Sequence, residues 1–189
     1  MNADILKGGF ANASVDAAHA FRAAMNAMAR PGTIEVLNGA EPPAPVSVAA
    51  GTLLLTLCDP DTPLHLAGDY DCEAVRSWIS FHIGAPIVAA ERAMFALGKW
   101  EALAPVTRFA IGTPEYPDRS ATLIVEQAEL DQDGMSLRGP GIKDCASLSL
   151  PEAEAFQMNA MLFPLGLDFF FTSGEQVSAL PRTTKVEVA

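Results

Sequence analysis

The residues best suited to chemistry in this sequence are cationic and aromatic side chains held in Pro- and Gly-rich turns. The clearest stretch is Gly112-Thr113-Pro114-Glu115-Tyr116-Pro117-Asp118-Arg119-Ser120-Ala121, which runs straight into the β-branched segment Thr122-Leu123-Ile124-Val125. Its two prolines fix their own φ and push Thr113 and Tyr116 toward extended backbone, so Tyr116, Asp118 and Arg119 are presented with little freedom. An arginine held this way offers a planar fork of donors matched to a carboxylate or phosphate, and Asp118 would either orient that fork or compete for it. A turn with an internal Asp–Arg pair is an equally good reading of the same residues. Arg138, before Gly139-Pro140-Gly141, and Arg182, in Leu180-Pro181-Arg182-Thr183-Thr184, share the turn setting; with Arg119 they are candidates for an anion-binding cluster. His82 at a helix end beside Gly84 and Pro86, and Asp168 inside Leu167-Asp168-Phe169-Phe170-Phe171, are weaker candidates. A carboxylate among aromatics needs a partner if buried, and an arginine is the expected one.

These side chains must be placed by the surrounding elements, which read as strands interspersed with helices. Val15 to Ala29 is expected to be a helix capped by Ser14, with Phe21, Met25 and Met28 on its apolar face. Thr33–Leu37 reads as a short strand, Val48–Cys58 as a buried helix, and Leu64–Leu66 as a buried strand. A helix over Cys72–Phe81, capped by Asp71, carries Val75, Trp78 and Ile79 on one face. Short strands are expected at Ile87–Ala89 and Met94–Leu97. Ala121–Leu130 and Met135–Arg138, joined by Asp131-Gln132-Asp133-Gly134, form the pattern of a β-hairpin. Pro151 opens a helix running to Phe163, with Phe156, Ala160 and Phe163 on one side. Leu167–Phe171 reads as a strand, and Leu180–Val188 as a polar turn into an alternating strand. The whole is expected to be one α/β domain, residues 1–189, with a mixed sheet flanked by helices.

Composition narrows the function. The chain has 189 residues, half of them hydrophobic, and a formal charge of −11 from 23 acidic and 12 basic residues. That balance argues against a nucleic-acid surface, which needs clustered lysine and arginine. The basic residues comprise four lysines and eight arginines, so positive charge comes mainly in the form suited to bidentate anion contacts. Neither a membrane span nor a secretory leader is visible, so a cytoplasmic location is expected. Cys58, Cys72 and Cys145 are scattered, and suggest buried thiols rather than a disulfide framework or a zinc site. His19, His65 and His82 lack metal-site spacing, and Walker, dinucleotide-binding and nucleophile-elbow motifs are absent.

Taken together, Phe21-Arg22, Ala27-Met28-Ala29-Arg30-Pro31-Gly32, Phe81-His82-Ile83-Gly84-Ala85-Pro86, the 112–123 stretch, Arg138-Gly139-Pro140-Gly141-Ile142, Phe163-Pro164-Leu165-Gly166-Leu167-Asp168 and Leu180-Pro181-Arg182-Thr183-Thr184 closely resemble, in collinear order, the H subunits of the bacterial carbon-phosphorus lyase core complex. The resemblance implies a role in phosphonate catabolism under phosphate scarcity. With the G, I and L subunits, such a chain is required to join a phosphonate to C1 of the ribose of ATP with release of adenine, giving a ribose 1-phosphonate 5-triphosphate. A J subunit then cleaves the carbon-phosphorus bond by radical chemistry. It also implies a homodimer, a core complex with G, I and J, and a fold resembling the large domain of pyridoxal-phosphate-dependent transferases. A resident cofactor is not expected, because Lys7, Lys99, Lys143 and Lys185 are isolated and mostly in loop or terminal settings, whereas that chemistry needs a placed Schiff-base lysine. Arg119, Arg138 and Arg182 would then lie near a phosphonate or nucleotide phosphate. The alternative is a purely structural subunit whose Pro-fixed loops, with Tyr116 and Arg119, make contacts between subunits.

Overall fold

A computed structural model of the chain describes residues 7–188. Its frame is a six-stranded mixed sheet covered on both faces. In chain order the elements are α1 (Ala13–Ala29), β1 (Glu35–Val36), α2 (Val48–Leu57), β2 (Leu64–Leu66), α3 (Glu73–His82), β3 (Phe95–Lys99), α4 (Trp100–Leu103), β4 (Thr122–Glu126), β5 (Met135–Arg138), β6 (Ala146–Leu148), α5 (Glu154–Ala160), β7 (Asp168–Ser173), β8 (Gln176–Leu180) and β9 (Lys185–Glu187). The main sheet has the order β1-β8-β7-β4-β3-β2. Strands β2, β3, β4 and β7 are parallel, and β8 and β1 continue the sheet antiparallel. A second, three-stranded antiparallel sheet has the order β6-β5-β9.

Two apolar clusters sandwich the main sheet. On one face Leu97, Ile124 and Phe170 pack with α1, α2 and α3. On the other, Leu123, Val125, Phe169 and Phe171 pack with Trp100, Leu137, Phe156 and Val186. The strand residues alternate between the clusters as the two-residue period requires. Burial on both faces explains the run Leu123-Ile124-Val125, and it overturns the expected hairpin: β4 pairs in parallel with β3 and β7, while β5 belongs to the other sheet. An uninterrupted aliphatic run is the mark of a central parallel strand, not of a half-exposed hairpin arm.

The apolar face expected for α1 is also corrected. Ala20, Ala24 and Ala27 are buried, while Phe21 and Met25 are each 52% exposed. Small side chains let α1 approach α2 and β8 closely, so Phe21 and Met25 turn outward, while Met28 stays half-buried against the core as expected. The cap of α1 is Asn12, whose Oδ1 accepts from Val15 N–H, two residues earlier than expected. Cys72 rather than Asp71 precedes α3, because Asp71 is drawn into an ion pair with Arg76. Segment Ile87–Ala89 contributes only a bridge between Leu64 and Ile87, and α5 ends at Ala160, leaving Phe163 60% exposed. α2, β2 and the buried face of α3 lie where expected; Cys58, Cys72 and Cys145 are free thiols, but only Cys58 is buried as expected, Cys72 being half-buried and Cys145 exposed. None of the described helices is long and apolar enough to cross a membrane.

Candidate functional site

The 112–120 loop is a tight turn. Gly112 has φ +83°, and a Cβ there would lie 2.7 Å from Pro117 O, so the backbone folds back on itself at a position closed to other residues. Thr113 N–H donates to Tyr116 O at 3.1 Å and Tyr116 N–H to Thr113 O at 3.0 Å. Arg119 does not pair with Asp118. Its guanidinium lies over the Tyr116 ring, 4.0 Å from the centroid, and Tyr116 is half exposed.

Arg182 is the pin beneath this loop. Its backbone N–H and Nε donate to Asp168 Oδ1 at 2.8 and 3.2 Å, and Nη2 donates to Asp168 Oδ2 at 2.5 Å. Nη2 also donates to Ser120 Oγ, and Nη1 to Pro117 O at 2.7 Å and Pro164 O at 3.5 Å. The expectation that Asp168 pairs with an arginine is met. The same geometry corrects the role expected of Arg182: its donors are committed to four places within the chain, and its side chain is only 13% exposed. A fork so engaged joins the 112–120 loop, the 163–164 turn and the start of β7; it is not poised for a ligand.

Arg138 stands apart, on the outside of the small sheet, with Glu187 Oε2 3.5 Å away and Nη1 donating to Asp144 O at 3.3 Å. His82 ends α3, packed against Trp78 and Phe81, with Nε2 3.0 Å from Lys7 O. The candidates therefore divide: Tyr116, Arg119, Asp168 and Arg182 come together, and Arg138 and His82 are bound into other local contacts.

The assembled corner lies at the amino ends of the parallel strands, because the loop leads into β4 and Asp168 is the first residue of β7, paired in register with Thr122. Ligands of open α/β sheets bind at the opposite, carboxyl edge. What surrounds the corner is apolar. Gly166 N–H donates to Ile111 O at 3.0 Å and ties in the end of α5, where Met158, Met161, Leu162 and Phe163 are 44–71% exposed. This ridge runs between a groove of about 700 Å³ lined by Pro140, Ala160, Phe163, Thr183 and Lys185 and a hollow of about 590 Å³ lined by Pro105, Ile111, Met158, Leu162 and Leu167.

At the carboxyl edge, residues that motif reading passed over stand in a row. Lys99, Glu126 and Thr172 are register partners on β3, β4 and β7, each the last or next-to-last residue of its strand. Glu126 is buried at 7% exposure, and its Oε1 accepts from Ser47 N–H, the cap of α2, at 2.7 Å. Burial pushes this carboxyl above its ordinary range, opposed by hydrogen bonding from Ser47, the neighbouring Thr172 hydroxyl and the Lys99 charge. The available signal was a charged residue closing a run too apolar to be exposed. Lys99, read as a loop lysine, is the last residue of β3. The N-terminal end of α2, where an anionic phosphate would otherwise sit, holds the chain's own carboxylate, so these residues do not compose a phosphate cup. No group of three or more His, Cys, Asp or Glu side chains among the described residues is arranged to hold a metal ion.

The chain is thus an α/β protein with a pinned corner at the amino edge of its sheet and a buried glutamate of its own at the carboxyl edge. Residues 8–187 match the family described as bacterial phosphonate metabolism protein (PhnH), and the chain belongs to that family. It is 42% identical to the alpha-D-ribose 1-methylphosphonate 5-triphosphate synthase subunit PhnH of Rhizobium meliloti (strain 1021), over 97% of this chain and 96% of that one. It is 29% identical to HtxG of Stutzerimonas stutzeri, which carries the name of a C-P lyase subunit protein, over 89% of this chain and 85% of that one.

Proposed function

We propose that this chain is the H-type subunit of a ribose 1-methylphosphonate 5-triphosphate synthase, a transferase assembly that joins ATP and a phosphonate with loss of adenine, and that it docks partner subunits rather than carrying the reacting groups. The observation that carries the docking role is the amino-edge corner, where Tyr116, Arg119, Met161 and Phe163 are displayed on loops that Arg182 fixes from beneath. Aromatic, methionine and arginine side chains around a preorganised apolar centre are the composition of an interface core, and Arg182 has no donor left for an anion. The expected partners are the G, I and J subunits in a cytoplasmic core complex, the L subunit in the reaction, and a second copy of this chain. The single domain over residues 1–189 is a cofactor-free relative of the pyridoxal-phosphate transferase fold, deployed when phosphate is scarce.

Co-purification with the G, I and J subunits of its source tests this reading. Tyr116→Ala combined with Phe163→Ser is expected to lower recovery of at least one partner about tenfold or more, as hot-spot losses above about 1.4 kcal/mol do, while the variant keeps its circular dichroism and melting temperature. Full assembly by a folded double variant refutes the docking role. Pyridoxal phosphate added to the chain is expected to give no aldimine absorbance that borohydride traps.

A further inference from the structure

A second cleft, independent of the docking face, opens at the carboxyl edge between the turn after β2 and the start of α4. It has a volume of about 220 Å³ and is lined by Gly68, Asp69, Tyr70, Lys99, Glu101 and Ala102. The size suits a ligand, or the part of one held in the cleft, with the volume of about seven waters, at roughly 30 Å³ each. Gly68, with φ +59°, keeps the cleft narrow: a Cβ there would stand 3.0 Å from Ala102 Cβ.

Tyr70 is the residue that points to a ligand. Its side chain is buried, at 4% exposure, yet it lines this cleft and its hydroxyl makes no hydrogen bond to the described residues. A phenol so deeply set ordinarily finds a partner. Burial, with the charges of Glu126 and Asp69, keeps it protonated and therefore able to donate. Around it the charges are mixed. Lys99 supplies one exposed ammonium, and Asp69 and Glu101 supply two exposed carboxylates.

That arrangement selects among small ligands. A simple oxyanion would satisfy Lys99 and the Tyr70 hydroxyl but meet Asp69 and Glu101 at the surface and Glu126 beneath; a simple amine would satisfy the carboxylates but meet Lys99. We infer that the Tyr70 cleft binds a small zwitterion, its oxyanion held by Lys99 and the Tyr70 hydroxyl and its primary ammonium by Asp69 and Glu101. Aminoalkyl phosphonates and amino carboxylates share this chemistry, and the oxyanion geometry distinguishes them.

Calorimetric titration of the full chain with 2-aminoethylphosphonate, β-alanine, methylphosphonate and ethanolamine tests the assignment. The expected result is saturable binding of a zwitterion, at least tenfold tighter than methylphosphonate or ethanolamine. Preference between the first two ligands identifies the source of the oxyanion. Tyr70→Phe, which keeps the packed ring, and Lys99→Met, at an exposed position, are each expected to weaken binding about tenfold, the loss of one charge-assisted hydrogen bond. Absence of binding at millimolar ligand, equal binding of the amine-free phosphonate, or indifference to both substitutions overturns it. None of these results alters partner recovery, so the docking role stands or falls separately.

Discussion

Replacing Arg182 with alanine should destabilise the fold rather than empty a ligand site, and the size of the loss follows from what the side chain touches. Arg182 and Asp168 are 13% and 24% exposed, and the guanidinium also holds Ser120 Oγ, Pro117 O and Pro164 O. Removing one partner of a fully buried ion pair costs about 3–5 kcal/mol, since the other charge is left uncompensated. The residual exposure here allows water to reach Asp168, which lowers the expected loss to about 2–4 kcal/mol. For a domain of this size that is a fall in melting temperature of roughly 4–16 °C. Urea unfolding of wild type, Arg182→Ala, Asp168→Ala and the double variant measures the shared term, and a coupling of about 2 kcal/mol is expected. Arg182→Lys, which keeps the charge but loses the planar fork, should fall between. A coupling under about 0.5 kcal/mol would refute the pin. So would an Arg182→Ala chain of unchanged stability that had lost a phosphate-induced rise in melting temperature, because that pattern belongs to an anion site.

Glu126→Gln should become more stable relative to wild type as pH rises. The folded carboxyl is held above its ordinary value of 4.5, so above that pH the unfolded chain releases its proton first and wild-type stability falls until the folded group has also ionised; parallel pH profiles of the two chains would contradict this. Thiol labelling at pH 8 should modify exposed Cys145 rapidly and leave Cys58 untouched until unfolding. Burial, with the charge of Asp59, pushes the Cys58 thiol up to about 12, and equal labelling rates by mass spectrometry would contradict its burial.

Elements whose own pattern decides them were legible in the sequence: α2 from an apolar run too long for a strand, α3 from Val75, Trp78 and Ile79, and β7 from its aromatic run. The need of Asp168 for an arginine was equally local, since burying a carboxylate admits few solutions. What failed depended on the partner surface. Phe21 and Met25 have helical spacing, but the neighbours of α1 accept alanines and leave no room for an aromatic. β4 and β5 are separated by a hairpin-like linker, yet each finds better burial elsewhere, one inside the main sheet and one against β6 and β9. Strand β8 was missed because Gln176-Val177-Ser178-Ala179 is polar by composition; Ser178 is nonetheless fully buried within β8, against β7. The turn settings of Tyr116, Arg119 and Arg182 were legible, but their grouping was not, since a Pro/Gly turn announces a fixed side chain without saying where the next turn lies.

The grouping decides the function. Three arginines in similar turns suggest one anion site, but only two share the corner and each is differently engaged, Arg182 inside it and Arg119 on a tyrosine at its surface, while Arg138 lies against Glu187 on another sheet. Once the arginines are so divided, the amino edge has no concentrated positive charge, and its exposed apolar ridge needs another account. The carboxyl edge, where α/β sheets ordinarily meet ligands, retains a lysine, a buried glutamate and a buried tyrosine whose hydroxyl lacks an internal partner among the described residues. The proposed assembly at one edge and the proposed small-ligand recognition at the other are therefore separable by substitution. Tyr116→Ala with Phe163→Ser should leave binding at the Tyr70 cleft intact, and Tyr70→Phe should leave subunit recovery intact. If either change abolished both, the two edges would have to share one cooperative conformational state.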